Sequence, residues 1–361
     1  MSDLLIQAGP KAYRHIQQHG LRAKDIGAII GASGAVKWLA IYGLDCAIFG
    51  QWLKNELTAE DKPIALYGTS IGAWKLAAAA QNDPVAAMTA LAESYIDQSY
   101  AKGVTPAEIA ANAIKMLDRF LPEQAVDEIL QQPNLHYSLG TIRCHGLLGS
   151  DSVKKQLLGM IAGYLKNVVG YQALHSSMDR VIFHDQRYQP AFGSDYGFAH
   201  HHVKLTGDNF RQALLASGSI PCVLPGVANI KGAPKGVYRD GGLLDYHPAL
   251  KFLDACDQRL VLYPHFYSHL TPCWFDKPLK HRRANGKVLD NVILLSPTKK
   301  FVEKLPYSKI PDRQDFRHFQ GRDDQRKAYW REAMEASKRL GSAFLELQQE
   351  SDILRYIKLI D

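Results

Sequence analysis

The sequence predicts an α/β protein built on a central, largely parallel β-sheet, with a helical section at the C-terminal end. Three observations carry this. Short apolar runs such as DIGAII (25–30), PIALYG (63–68) and NVILLS (291–296) have strand length and end at glycine or polar residues, the pattern of strands buried on both faces. Stretches with helical spacing separate them, and strands interleaved with helices make parallel sheets. With 46% hydrophobic and 22% charged residues over 361 positions, the chain can bury a large core.

The elements follow in order. Residues 3–18 read as a short helix around Pro10, 25–30 as a strand, and 35–53 as helical. Residues 63–68 form a second strand, followed by an Ala-rich helix over 71–81 and three helical segments across 84–132. LHYSLGTIRC (135–144) is a strand. SDSVKKQLLGMIAGYLKNVV (150–169) is a helix, apolar on one face with lysines on the rim. That face is expected to pack on the core; a lid or a lipid contact is the alternative. RVIFHD (180–185) and HHVKLT (201–206) are strands, and 208–219 is a helix capped by Asp208. Residues 236–242, 259–266 and 291–296 complete the strands. In the last long helix, Trp330, Ala333, Met334, Ser337, Leu340, Phe344 and Leu347 share one face. The expected organisation is a domain over 1–266, a basic loop over 267–290, and a C-terminal section over 291–361 packed on the core.

The net charge of +7 suits anionic partners. No arginine–aromatic recognition module or basic tail is present, so nucleic acid is not an expected partner. Five scattered cysteines with no CxxC pair argue against a disulfide framework or a structural zinc site. The first twenty residues lack the pattern of a signal peptide. A cytoplasmic protein, with peripheral membrane contact as a second expectation, follows. His200 and His202 share a strand face, but no acidic residue stands near at ligand spacing, so a surface strand is expected rather than a metal site. In CWFDKPLKHRRANGK (273–287), Trp274 and Phe275 stand beside Lys277, Lys280, Arg282, Arg283 and Lys287. The stretch reads as a solvated loop or as a dock for an anionic bilayer surface.

Three stretches carry chemistry. Gly68-Thr69-Ser70-Ile71-Gly72 joins an apolar strand to a helix. A serine on such a turn projects its hydroxyl as a nucleophile, and glycines two positions away remove Cβ clashes; the alternative is a serine capping an ordinary helix. IIGASGAVKW (29–38) is strand, glycine turn and helix. A dinucleotide fingerprint would want a third glycine where Lys37 stands, and an acidic residue closing the next strand. Backbone N–H groups at a helix start, aimed at an anion, are the better reading. Lys37 adds charge near a phosphate or is a solvated helix residue. In YRDGGLLDYHPAL (238–250), Asp240 ends a strand and Gly241 and Gly242 follow. Asp240 reads equally as a proton acceptor for a serine and as a turn cap. His247 is the rival base.

The order of these motifs, with Ala216, Ser217 and Pro221 before Asp240 and Asp245 to Pro248 after it, resembles the patatin-like phospholipases over roughly residues 25–265. The resemblance implies a three-layer sandwich and a Ser–Asp dyad, with Ser70 as nucleophile and Asp240 as base. It implies hydrolysis of lipid acyl esters through an acyl-enzyme, with no metal or organic cofactor. An acyltransferase on the same site and a non-catalytic lipid-binding protein are the alternatives. The family's glycine-rich oxyanion turn is reduced here to Ser33-Gly34-Ala35-Val36-Lys37-Trp38. Gly34 and Ala35 are the expected donors, and Trp38 is expected to narrow the acyl pocket. Neither sequence nor resemblance fixes the oligomeric state.

Overall fold

The computed structural model describes residues 3–286, 288–350 and 353–360. Among these, eleven strands form one mixed, mostly parallel sheet: β1 (Leu4–Ala8), β2 (Ile26–Gly31), β3 (Ile64–Thr69), β4 (Leu135–Cys144), β5 (Met178–His184), β6 (His200–Lys204), β7 (Val227–Ala228), β8 (Val237–Asp240), β9 (Leu260–Pro264), β10 (Val292–Pro297) and β11 (Ile357–Leu359). The order is β11-β1-β10-β9-β2-β3-β4-β5-β6, with β8 pairing β4 and β7. With helices packed on the sheet, the architecture is α/β and consistent with a three-layer sandwich.

β2, β3, β9 and β10 are buried at every residue. That is why they read as continuous apolar runs rather than alternating ones. β1 was not foreseen: residues 3–18 divide into strand Leu4–Ala8 and helix α1 (Pro10–His19), with Pro10 at the first helical position. β1 exists through its antiparallel ladder with β10, nearly 300 residues away. β10 sits between β1 and β9, so the section after residue 290 completes the sheet rather than standing beside it.

After β2 the chain makes 3₁₀ turns over Ala35–Ile41 and then α2 (Tyr42–Ala47). Helix α3 (Ile71–Ala79) leaves β3 directly. Helices α4 (Pro84–Asp97), α5 (Pro106–Phe120) and α6 (Glu123–Gln131) follow; Asp83 caps α4, and Thr105 with Glu108 closes a capping box on α5. Next come α7 (Val153–Val169), α8 (Phe210–Ser217) and the long α9 (Asp323–Gln348). Asp208 does not cap α8: it pairs with Lys231, while Asn209 takes the N-cap position and accepts the Thr206 N–H.

All seven residues of the foreseen α9 face are buried. The helix crosses α2 closely enough that a Cβ on Gly43 would lie 2.4 Å from the Lys338 Cα. The expectation for 150–169 fails in one respect. The helix forms, but its buried residues include Gln156, Gly159, Gly163 and Asn167, and its large apolar residues face out.

One buried ion pair ties α2 to α3. Asp45 receives Lys75 Nζ at 2.9 and 3.0 Å and the Trp38 indole N–H at 2.7 Å, with 3% and 1% of the Lys75 and Asp45 side chains exposed. Removing one member leaves a buried charge without its partner, at a cost of about 3–5 kcal/mol. Asp45→Ala should therefore lower unfolding stability by about that much in a urea titration; a loss under about 1 kcal/mol, the range of an exposed pair, would mean the pair is solvated.

Candidate active site

Ser70 lies between β3 and α3 with φ 53° and ψ −131°. A non-glycine residue in this region carries about 1–3 kcal/mol of strain. Two things hold it there. The Ser70 N–H donates to Ser217 Oγ at 3.0 Å, and Ser217 in turn donates to the Gly140 carbonyl at 2.8 Å. Helix α3 also starts hard against β2: a Cβ on Gly72 would stand 2.1 Å from the Gly31 carbonyl oxygen, and one on Gly68 2.5 Å from the Gly72 carbonyl carbon. The two glycines of the motif are thus required by backbone approach.

Asp240 arrives from the opposite direction. β3 covers the first half of β4 in parallel, ending at the pair Thr69–Gly140. β8 covers the second half antiparallel, ending at the adjacent pair Asp240–Thr141. The two strand ends meet, and Ser70 Oγ donates to Asp240 Oδ2 at 2.8 Å. The other carboxylate oxygen accepts the Gly242 N–H at 2.7 Å. Gly241 passes so close to Gly140 that a Cβ would lie 2.3 Å from its carbonyl oxygen. Ser70 and Asp240 are each 6% exposed. Burial raises the Asp240 pKa to about 6, against the hydrogen bonds from Ser70 and Gly242 that favour the charged form. A carboxylate so placed is still ionised at neutral pH and is a stronger base than an exposed one.

The rival base makes no contact with Ser70. His247 is buried against His265 and Tyr246. Its Nδ1 accepts the Thr271 N–H at 2.9 Å. Burial, then repulsion from His265, keeps its pKa well below the usual histidine value.

Gly34 and Ala35 line the same cavity as Ser70. Ala35 has φ 51°, a left-handed conformation that turns the chain into the 3₁₀ segment. Neither residue's N–H has a protein acceptor among the described residues, as at the start of any helix. The Ile71 N–H, opening α3, is in the same condition, a third donor that the sequence reading missed. Ser33 locks the turn through Thr69 Oγ1 at 2.8 Å and through its N–H to the Tyr246 carbonyl at 2.8 Å. Trp38 does not narrow the pocket: it is 1% exposed and turned inward to Asp45.

Two cavities meet at Ser70. One of about 510 Å³ is mainly apolar, lined by Trp74, Tyr95, Ile109, Met116, Leu224 and Phe316 among others. The other, about 400 Å³, is lined by Lys37, Lys277 and Arg313 with Leu157, Met160 and Trp274. Among the described residues none of these three cations makes an ion pair; Asp312, on the same wall, is taken by Lys309 at 3.1 Å. The Lys277 ammonium sits 4.0 Å from the Tyr246 ring centre and 4.8 Å from Trp274. Desolvation there, then repulsion from Lys37, lowers its pKa. Within the basic loop, Phe275 is buried and Arg282 is committed to the Asn167 and Val168 carbonyls at the end of α7, while Lys280 and Arg283 are exposed. Lys287 lies outside the described residues.

Asp245 supports the site from behind. It is paired with Arg180 at 2.8 and 2.9 Å, accepts the Tyr67 hydroxyl, and takes the Thr69 hydroxyl on its carbonyl. Among the described residues no group of three or more His, Cys, Asp or Glu side chains is placed to hold a metal ion, and no helix is long and apolar enough to cross a membrane. The chain matches no protein-family model, no curated protein and no solved structure.

If Asp240 is the group that must be ionised, kcat/KM for a soluble ester should rise with pH and level off above about 6, falling tenfold per unit below it because only the charged form accepts a proton. His247→Asn, which keeps an acceptor for Thr271, should leave that profile and the rate within about tenfold, or ~1.4 kcal/mol of barrier. A profile governed instead by position 247 would assign the base to histidine.

Proposed function

We propose that this chain is a serine acyl-ester hydrolase acting on lipids, of the patatin-like kind, with Ser70 as nucleophile and Asp240 as its only base. The single observation that carries the reading is the direct 2.8 Å hydrogen bond from a strained, nearly buried serine to a nearly buried aspartate. Serine needs an adjacent base at neutral pH, and no histidine intervenes.

In this reading Ser70 Oγ attacks the ester carbonyl as Asp240 takes its proton. The negative oxygen of the tetrahedral intermediate faces the free N–H groups of Gly34 and Ala35, with Ile71 as a further donor. Asp240 then passes the proton to the leaving alcohol, and the acyl chain stays on Ser70. Water, giving a proton to Asp240, attacks the acyl-enzyme; the Ser70–acyl bond breaks, Asp240 returns the proton to Ser70 Oγ, and the fatty acid is freed. The apolar cavity suits the acyl chain, since its aromatic and aliphatic lining removes methylene groups from water at about 0.8 kcal/mol each. Lys37 and Lys277 line the other side, with Arg313 on the wall that both cavities share, and together they favour a leaving group bearing negative charge such as a phosphate.

A fluorophosphonate probe should label Ser70 and nothing else; no labelling of folded protein would leave only lipid binding. Ser70→Ala and Asp240→Asn should each lower kcat by about 10⁴–10⁶, the loss seen when a nucleophile or its base is removed from a serine protease, with thermal unfolding still cooperative. Product analysis with glycerol or lysolipid added separates hydrolysis from acyl transfer.

The apolar cavity should set chain length. Ala113, on its wall, replaced by Phe should cut kcat/KM for nitrophenyl palmitate by tenfold or more while sparing the butyrate ester. Equal loss on both would place the acyl chain elsewhere.

A further inference from the structure

Helix α7 is mounted with its polar side inward. Gln156 accepts the Cys222 N–H at 2.6 Å and donates to the Ser150 carbonyl at 2.9 Å. Asn167 donates to Asp276 at 2.8 Å. Gly159 and Gly163 let Leu148 and Phe275 close against the backbone; a Cβ on Gly163 would lie 2.8 Å from the Phe275 ring. These four positions recur at helical spacing and form one stripe. The opposite stripe carries Leu157, Leu158, Ile161, Leu165, Val168 and Val169, from 48% to 85% exposed. More than half of the exposed large apolar side chains among the described residues fall on this one helix. A soluble surface rarely gathers them so, and the other face is fastened by the bonds of Gln156 and Asn167.

We propose that the outward face of α7 is a docking surface for an anionic lipid bilayer, which it holds at the mouth of the Ser70 cavity.

Two features choose a bilayer over another protein. The first is charge: α7 carries Lys154, Lys155 and Lys166 and no acidic residue, and the segment bound to its C-terminal end adds exposed Lys280 and Arg283. An apolar stripe bordered by cations is the pattern of a helix lying in a membrane interface, and anionic headgroups attract such a border. The second is position. Leu157 and Met160 of the same helix line the cavity that contains Ser70 and Asp240. A bilayer against α7 therefore meets the cavity entrance without crossing water. Binding needs no turnover, so it stands or falls separately from the hydrolase reading.

The test uses the full chain carrying Ser70→Ala, which separates docking from hydrolysis. It should sediment with vesicles of phosphatidylcholine and phosphatidylglycerol at 7:3, at least tenfold more than with phosphatidylcholine alone, and less as salt is raised. Leu158→Asp, Ile161→Asp and Leu165→Asp together, all outside the cavity lining, should abolish sedimentation at least tenfold. In the Ser70-containing chain these changes should leave hydrolysis of a soluble short ester unaltered. If that triple variant does not fold, Leu165→Trp alone gives the answer: its added emission should shift to the blue on the anionic vesicles and be quenched by lipid brominated in the acyl chain. Sedimentation equal for variant and parent, or no blue shift, overturns the proposal. So does a stable dimer in sedimentation equilibrium that the triple variant dissociates, which would give this face to a second copy of the chain.

Discussion

The register of β4 is the constraint on which the site depends. A ten-residue strand is shared along one edge by two shorter strands arriving from opposite ends, and the junction between them falls at Gly140 and Thr141. Ser70 and Asp240 meet at that junction. The chain must leave the sheet at Thr69, because β8 occupies the next position, and it leaves through Ser70. β8 must stop at Asp240 for the same reason. The Gly140 carbonyl, which faces this gap, receives Ser217, and Ser217 receives the Ser70 N–H. A side chain at Gly140 would run into the Tyr67 hydroxyl, within 2.3 Å of its would-be Cβ. The Ser70–Asp240 distance is therefore set by backbone pairing rather than by side-chain reach.

Much of this was legible in the sequence, for a physical reason. Strands buried on both faces must be apolar throughout, and backbone that approaches backbone must be glycine; both leave marks in the residues concerned. Hence β2, β3, β9 and β10 and the glycines around Ser70 could be read directly, whereas Asp240 reads equally as a proton acceptor and as a turn cap, and only the resemblance makes it the base. What could not be read is what non-local pairing creates. LLIQA becomes a strand through β10, and β7 and β11, with two and three residues, exist only as partners of β8 and β1. The contributions of Ser217, Arg180 and Arg313 belong to the same class, since each meets residues at least 65 positions away. Asp208 was misread for a local reason: Asn209 can bond Thr206, Lys204 and Lys231 at once, and a free Asp208 then goes to a lysine.

Helix α7 shows where periodicity misleads. An apolar stripe indicates which face leaves water in a single isolated domain, and the inference to core packing rests on that assumption. The opposite stripe held the better signal. Gln156, Gly159, Gly163 and Asn167 combine small residues, which allow close approach, with amides, which fix orientation by hydrogen bonds. A helix that packs by such residues does not need its apolar side for folding.

A sequence specifies its fold when local preferences agree with the global structure, and departures tend to collect where function constrains the chain. Here the departures collect at one place. Ser70 and Ala35 take left-handed backbone conformations. Asp240 is a buried carboxyl shifted toward neutrality, three cations line one cavity with no ion pair among the described residues, and an apolar helix face looks outward at its rim. Each by itself has a bland explanation. Strain, a buried carboxylate and exposed hydrophobic surface all act against stability, and the fully buried strands around them offset the cost. A chain under no demand but to fold would have no reason to gather its liabilities around a single serine. Their coincidence within one pair of joined cavities supports the proposed reaction at Ser70 on grounds other than the motif.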